Sequence, residues 1–347
     1  MRFTMNYYSF DDYSQDENLP SIKEPFFHDL VHHLSAIEKL TINLQKIRYP
    51  LFGYSVPKNQ VDSYEQMRED FLNLISFVPI IKSLYPSAKF SVFIQAFVYG
   101  VGMHLNQTGY RTSPDALNGC IDHINAYLVR REVKRRAYLA PEKHRNHRIQ
   151  ISQYIDGLFN NHGRVLVLRM DFSYRADFYP RMTLIKRHRD TLIRYLRDQQ
   201  QGFLGFIWRM EYGIDKGYHL HTVILFNANQ VQRDIRLGLV VGKYWNEVIT
   251  EGNGLHYNCN AHKESYRDCG IGEIHWQDSD KRASFERAAL YLAKPDPLLE
   301  IVRTLEVEHL TTQGHYEVSN KVENSRVFGL SQLNEIRGVR LGRPRGR

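Results

Sequence analysis

Three stretches in the second half of the chain alternate in the manner of strands. Residues 165–172 (VLVLRMDF) set Val165, Val167, Arg169 and Asp171 against Leu166, Leu168, Met170 and Phe172. Residues 203–212 place Leu204, Phe206, Trp208, Met210 and Tyr212 on one face, with Arg209 and Glu211 on the other. Residues 218–226 end in a continuous apolar, β-branched run, and Gly213 and Gly217 bracket a turn before it, so the last two stretches read as a hairpin. Helical spacing joins them. Leu184, His188, Leu192 and Leu196 mark a helix before the hairpin, and residues 231–249 mark another after it. A short strand at 271–276 and a helix at 280–294 follow. The order β-α-β-β-α-β-α predicts an α+β domain, an antiparallel sheet with helices packed against it.

The first half reads differently. From Glu24 to about Asn106 apolar residues fall at helical intervals (Leu30, Leu34, Ile37, Leu40, Leu44, Ile47), punctuated by Pro50, Pro57, Pro79 and Pro86. Residues 1–20 read as disordered. Residues 21–150 form a mostly helical accessory region, 151–310 the chemical domain, and 311–347 an extension.

Composition narrows the class. A length of 347 residues, 42% hydrophobic and 24% charged, is ordinary for a globular protein with a full core. The most apolar stretch, 90–103, is too short to span a bilayer and is interrupted by Ser91 and Gln95, so it reads as a buried helix. No signal peptide opens the chain, and three scattered cysteines suit a reducing cytosol, so a cytoplasmic protein with no membrane partner is expected. Lys and Arg number 46 against 38 Asp and Glu, a net charge of +8 that favours a polyanionic partner. Basic residues concentrate at Arg130, Arg131, Lys134, Arg135, Arg136, Lys143, Arg145 and Arg148, and again in the tail at Arg340, Arg343, Arg345 and Arg347. The first run is either a solvated face or a phosphate contact. The tail is either a plain basic tail or an AT-hook-like segment for a narrow A·T minor groove.

Candidate chemistry sits on the hairpin. Side chains two apart on a strand share a face about 6.5 Å apart, within reach of one ion, so His219 and His221 are a candidate metal pair. If the turn is centred on Asp215, Glu211 lies opposite His219, where directly paired Cβ atoms are about 5 Å apart, and becomes the third ligand. A two-residue turn would put it on the wrong face, and Asp171 would replace it. Further on, Tyr291 and Lys294 stand one helical turn apart, ahead of Pro295. A phenol beside a cation suits a nucleophile, although the pair alone is also common surface decoration.

Taken together, Glu211, His219-Leu220-His221 and Tyr291-Leu292-Ala293-Lys294 resemble the HUH superfamily of single-strand DNA nickases. Residues from about 160 to 330 resemble more closely the rolling-circle replication proteins of filamentous phages and their prophage relatives of the YagK/YfjJ type. The motifs carrying this are Trp208-Arg209-Met210-Glu211-Tyr212, Gly217-Tyr218-His219-Leu220-His221, Tyr291-Leu292-Ala293-Lys294 and Arg326-Val327-Phe328-Gly329. The resemblance implies a ferredoxin-like sheet, a Mg²⁺ or Mn²⁺ ion, single-stranded DNA at a replication origin as substrate, and a 5′-phosphotyrosine intermediate. Pro295 stands where some relatives carry a second tyrosine, so a two-tyrosine shuttle is not expected.

Other chemistries fit less well. Histidine-triad hydrolases need a third histidine, where this chain has Val223. Residues 238–243 fall one residue short of a phosphate loop and lack Ser or Thr after Lys243, so unwinding is left to a separate helicase. His256, Cys259, His262 and Cys269 are an irregularly spaced zinc set. The rival class is a DNA-binding prophage regulator that keeps the fold without the activity.

Overall fold

The computed structural model describes residues 25–108 and 113–331. The stretch expected to be disordered, 1–20, and the basic tail lie outside the described residues. The chain opens with helices α1 (Pro25–Leu44), α2 (Val61–Ile75), α3 (Val78–Leu84), α4 (Val92–Thr108) and α5 (Pro114–Leu128), as the helical periodicity predicts. The apolar stretch at 90–103 falls on α4, with Ile94, Ala96, Phe97 and Val101 buried. Among the described residues no helix is long and apolar enough to cross a membrane. The basic run falls on α6 (Arg131–Asn161), a 31-residue helix that continues through Pro141. Its first two-thirds are largely exposed, while Ile151, Tyr154, Ile155, Leu158 and Phe159 near its end are buried.

The rest is an open antiparallel sheet of six strands with its helices: β1 (Arg164–Tyr174), α7 (Met182–Gln199), β2 (Phe203–Gly213), β3 (Gly217–Asn227), α8 (Asp234–Tyr244), β4 (Gly254–Asn258), β5 (Gly272–His275), α9 (Ser279–Leu290), α10 (Pro297–Thr312), α11 (Tyr316–Glu323) and β6 (Phe328–Leu330). Strand order is β4-β1-β3-β2-β6, with β5 also pairing β1. The mixed fold is thus the one expected, with two extra strands, β4 and β6. Sequence reading missed β4, because Leu255 and Tyr257 are its exposed residues and the apolar alternation points outward.

Both β4 and β5 lie on the same edge of β1, β5 along 164–167 and β4 along 170–174. The gap between them is closed by a side chain. Fully buried Asn260 donates Nδ2–H to the Val167 carbonyl at 2.9 Å and accepts from the Arg169 N–H at 2.9 Å. These are the two backbone groups that neither strand reaches, and buried backbone groups must be satisfied somewhere. Residues 238–243, weighed above as a phosphate loop, belong to α8. Gly238 and Gly242 lie one turn apart where Asn258 and His256 press against the helix, leaving no room for a Cβ.

The two faces of the sheet bury different partners. Leu166, Leu168, Met170, Phe206, Trp208, Met210, Leu220 and Ile224 join a core that runs on into α1–α5, α7 and α10. The opposite face buries Val165, Val167, Ile207, Val223 and Leu225 under the end of α6 and under α9. That cover stops short. The remaining positions of this second face, one or two steps further along the strands, are Arg169, Asp171, Arg209, Glu211, His219 and His221.

Candidate metal centre and its neighbours

The β2–β3 hairpin fixes the register of the site. Gly213 pairs with Gly217 across the three residues Ile214, Asp215 and Lys216, so Glu211 stands directly opposite His219, as expected for a turn centred on Asp215. Gly217 has φ +62°, a left-handed conformation that glycine adopts without a Cβ penalty and that closes three-residue hairpin loops. On the other side of β3, Asp171 pairs with His221. Cross-strand pairing therefore assembles two carboxylates and two imidazoles from three strands on one face.

Each imidazole is held at Nδ1, which aims its Nε2 at Glu211. The His219 Nδ1 donates to the Gly217 carbonyl at 3.1 Å, and its Nε2 lies 3.8 Å from Glu211 Oε2. His221 Nδ1 lies 2.7 Å from Asp171 Oδ1, short but poorly aligned for a hydrogen bond, and its Nε2 lies 3.2 Å from Glu211 Oε2. The two rings meet edge to face with centroids 5.0 Å apart. Glu211, His219 and His221 each offer a ligand atom within 4.8 Å of the others, and among the described residues they are the group able to hold a metal ion. Outer partners that fix the tautomer are the usual companions of metal-binding histidines.

Charge agrees with this geometry. Burial acts to raise the Glu211 carboxyl, but the His219 and His221 imidazoles that face it and their charge outweigh it, holding it well below the usual carboxylate range. Burial acts to lower His221, yet Asp171 and Glu211 prevail and raise it to about 9. Asp171 is lowered despite its burial, by His221 and by Arg169, whose Nε donates to Asp171 Oδ1 at 3.3 Å. The protein thus keeps an anion-rich nest in which a proton now stands where a cation can bind.

Tyr291 and Lys294 lie on a segment that crosses this same face. The α-helix ends at Leu290 and tightens into a 3-10 turn over Tyr291–Ala293, while Lys294 is extended (φ −63°, ψ 138°). The expected continuous helix to Lys294 is therefore shortened, because a residue before proline avoids the helical region. Leu292 and Ala293 are buried in the core beside Ile207 and Phe328, which turns Tyr291, 51% exposed, outward. Lys294 Nζ stays 5.4 Å from the centre of the Tyr291 ring, so the pair survives without the helix. Asp296 then ties the segment to β2 by accepting from the Tyr212 N–H at 2.8 Å, next to Glu211, and from the Leu299 N–H at 3.1 Å to cap α10. His144 of α6 reaches the same turn, its Nδ1 3.1 Å from the Ala293 carbonyl.

The zinc set is not assembled. Cys259 is buried with its thiol pushed up to about 11 by burial, His262 stacks on Tyr257 at 5.3 Å, and Cys269 Sγ faces the Ile271 carbonyl at 3.8 Å. Sequence reading gave Arg209 no role beyond its face. It is 2% exposed, and its Nε and Nη1 have no hydrogen-bond partner. Its signal in the sequence is an arginine that, with Glu211, interrupts an otherwise apolar strand. Asp171 was legible as a second choice of ligand; its place behind His221 depends on the β1–β3 register.

Searches of curated proteins and of solved structures return no match. Residues 133–306, about half of the chain and including Glu211, His219, His221, Tyr291 and Lys294, match the sequence model of the YagK/YfjJ C-terminal domain, and the chain belongs to that prophage-associated family.

Proposed function

We propose that this protein nicks and rejoins single-stranded DNA at a replication origin, in the manner of the HUH nickases that initiate rolling-circle replication. The observation that carries this reading is the convergence of His219 Nε2, His221 Nε2 and Glu211 on the sheet face crossed by the Tyr291–Lys294 segment. The order β1-α7-β2-β3-α8-β4 with strands arranged 4-1-3-2 supports it, being that of a ferredoxin-like sheet.

Two imidazoles and one carboxylate suit Mn²⁺ better than Mg²⁺, which prefers an all-oxygen shell. Glu211, His219 and His221 would hold the ion, which would supply Lewis-acid polarisation of the phosphate. The Tyr291 oxygen, losing its proton to solvent, attacks the scissile phosphorus; the bond from phosphorus to the 3′ oxygen breaks, that oxygen takes up a proton and leaves as a 3′ hydroxyl, and the 5′ phosphate stays on Tyr291. Lys294 offsets negative charge on the phenolate and the phosphate. The phosphotyrosine conserves the bond energy for rejoining. The exposed basic part of α6 gives the strand a cationic flank.

The test is cleavage of a pool of single-stranded oligonucleotides covering the replicon's own origin, with and without Mn²⁺. Metal-dependent cleavage at one site, lost in His219→Ala and His221→Ala, supports the reading. DNA binding without cleavage by the intact protein favours the non-catalytic regulator.

A further inference from the structure

Beside the metal centre lies a cleft of about 680 Å³ between the helical region and the sheet. Arg209 forms part of its wall, with Lys143 and His144 from α6, Ser91 from the segment before α4, and Asp296 and Arg303 from the α10 side. Arg209 is the anomaly. A fully buried guanidinium leaves two donors, Nε and Nη1, without acceptors. Asp296, Glu211 and Glu300 stand near enough to supply balancing charge, yet none takes a hydrogen bond from these donors. Buried charged donors without acceptors are costly, and proteins seldom retain them without a use.

The cleft's acids are already engaged. Asp296 serves Tyr212 and Leu299, Glu300 pairs with Arg303, Glu308 accepts from the Ser87 N–H at 2.9 Å, Glu323 pairs with Lys89 at 3.1 Å, and Glu38, raised by burial, is hydrogen-bonded to Ser91. Lys143, exposed at the rim, forms no ion pair among the described residues. The unused hydrogen-bonding capacity at this end of the cleft is therefore cationic. A guanidinium presents parallel N–H groups that match two oxygens of a phosphate, which an ammonium cannot do.

We propose that this cleft is a second site, for a phosphate group, gripped by Arg209 and screened at the rim by Lys143. Because Nε and Nη1 are shielded from solvent, the phosphate reaches them by entering the cleft and drawing the guanidinium toward it. Arg209 is two residues from Glu211 on the same strand face and pairs with His221 across β2 and β3. A phosphate here is one step along from a phosphate at the metal centre. The assignment of that phosphate to a DNA strand rests on the nickase reading; the phosphate site itself does not. It gives the helical region a role as the far wall of the strand's path.

The experiment is calorimetric titration of the metal-free protein with inorganic phosphate, and separately with a short single-stranded oligonucleotide. Arg209→Met should weaken phosphate binding at least tenfold, Arg209→Lys should recover part of it, and Lys143→Ala, at an exposed position that leaves the fold intact, should weaken it several-fold. A parallel loss of oligonucleotide affinity, about tenfold in Arg209→Met and several-fold in Lys143→Ala, with the salt slope reduced by about one, assigns the phosphate to the strand. Unchanged oligonucleotide affinity with phosphate binding lost assigns it to free phosphate or a nucleotide. Absence of phosphate binding by the intact protein, or phosphate affinity in Arg209→Met and Lys143→Ala equal to that of the intact protein, overturns the proposal. Tyr291→Phe and His219→Ala serve as controls that keep phosphate binding, so a failure to nick DNA leaves this site standing and its loss leaves the nickase reading standing.

Discussion

The proton on His221 makes a quantitative prediction about metal binding. In the metal-free protein Asp171 and Glu211 overcome burial and raise this imidazole to about 9. At pH 7, two units lower, only about one molecule in a hundred has a free Nε2, a difference of about 3 kcal/mol that a metal must overcome. Apparent Mn²⁺ affinity should therefore rise about tenfold per pH unit between pH 7 and 9 and level off above. Titration calorimetry in two buffers of different ionisation enthalpy should show about one proton released per ion at pH 7 and almost none at pH 10. Stability runs the opposite way without metal. The folded pKa is raised, so the contribution of this group is fully present below about pH 6.5, the unfolded value, and is lost as pH rises through about 9. The metal-free Tm should fall across that window. Asp171→Asn removes one of the two anions holding the proton and should shift the whole dependence to lower pH. Affinity that is flat from pH 7 to 9, with no proton released, would refute the reasoning.

Three further outcomes follow from particular residues. Asn260→Ala should cost about 2–4 kcal/mol in urea unfolding, because it strands two buried backbone groups of β1, the Val167 carbonyl and the Arg169 N–H; a loss below about 0.5 kcal/mol would show the plug to be dispensable. Gly217→Ala meets no neighbouring atom, so its expected cost of about 1 kcal/mol is conformational alone, and Gly217→Asn should cost less; equal stability of all three proteins would contradict a strained loop. Deleting 342–347 should weaken binding to duplex flanked by A·T-rich sequence and flatten its salt dependence, while cleavage of a short single-stranded oligonucleotide is unchanged; loss of that cleavage would place the tail in the active site.

Much of the site was legible because one fact of strand geometry governs it. The apolar set Phe206, Trp208, Met210 and Tyr212 marks one face of β2, and Gly213 and Gly217 bracket the turn, so a turn centred on Asp215 brings Glu211 opposite His219, the register that the hairpin adopts. Nothing so periodic marks the rest. β4 carries its apolar residues outward, and Asn260 lies in a turn where any polar residue reads alike. That Arg209 is buried and unpaired depends on α6 and α10 closing over β2, contacts between segments far apart in sequence. The Tyr291 turn stood between these cases. Pro295 announced an end to the helix, but only the packing of Leu292 and Ala293 shows that Tyr291 is pushed outward.

In the proposed reaction Tyr291 is the nucleophile. The most direct measurement is peptide mapping by mass spectrometry after the protein is incubated with Mn²⁺ and a single-stranded oligonucleotide carrying the origin. A phosphodeoxynucleotide adduct on the peptide containing Tyr291, absent from Tyr291→Phe while that variant keeps its Tm and its DNA affinity, is the predicted result. An adduct on Tyr212, Tyr218 or any other residue, or cleavage that persists in Tyr291→Phe, would contradict it.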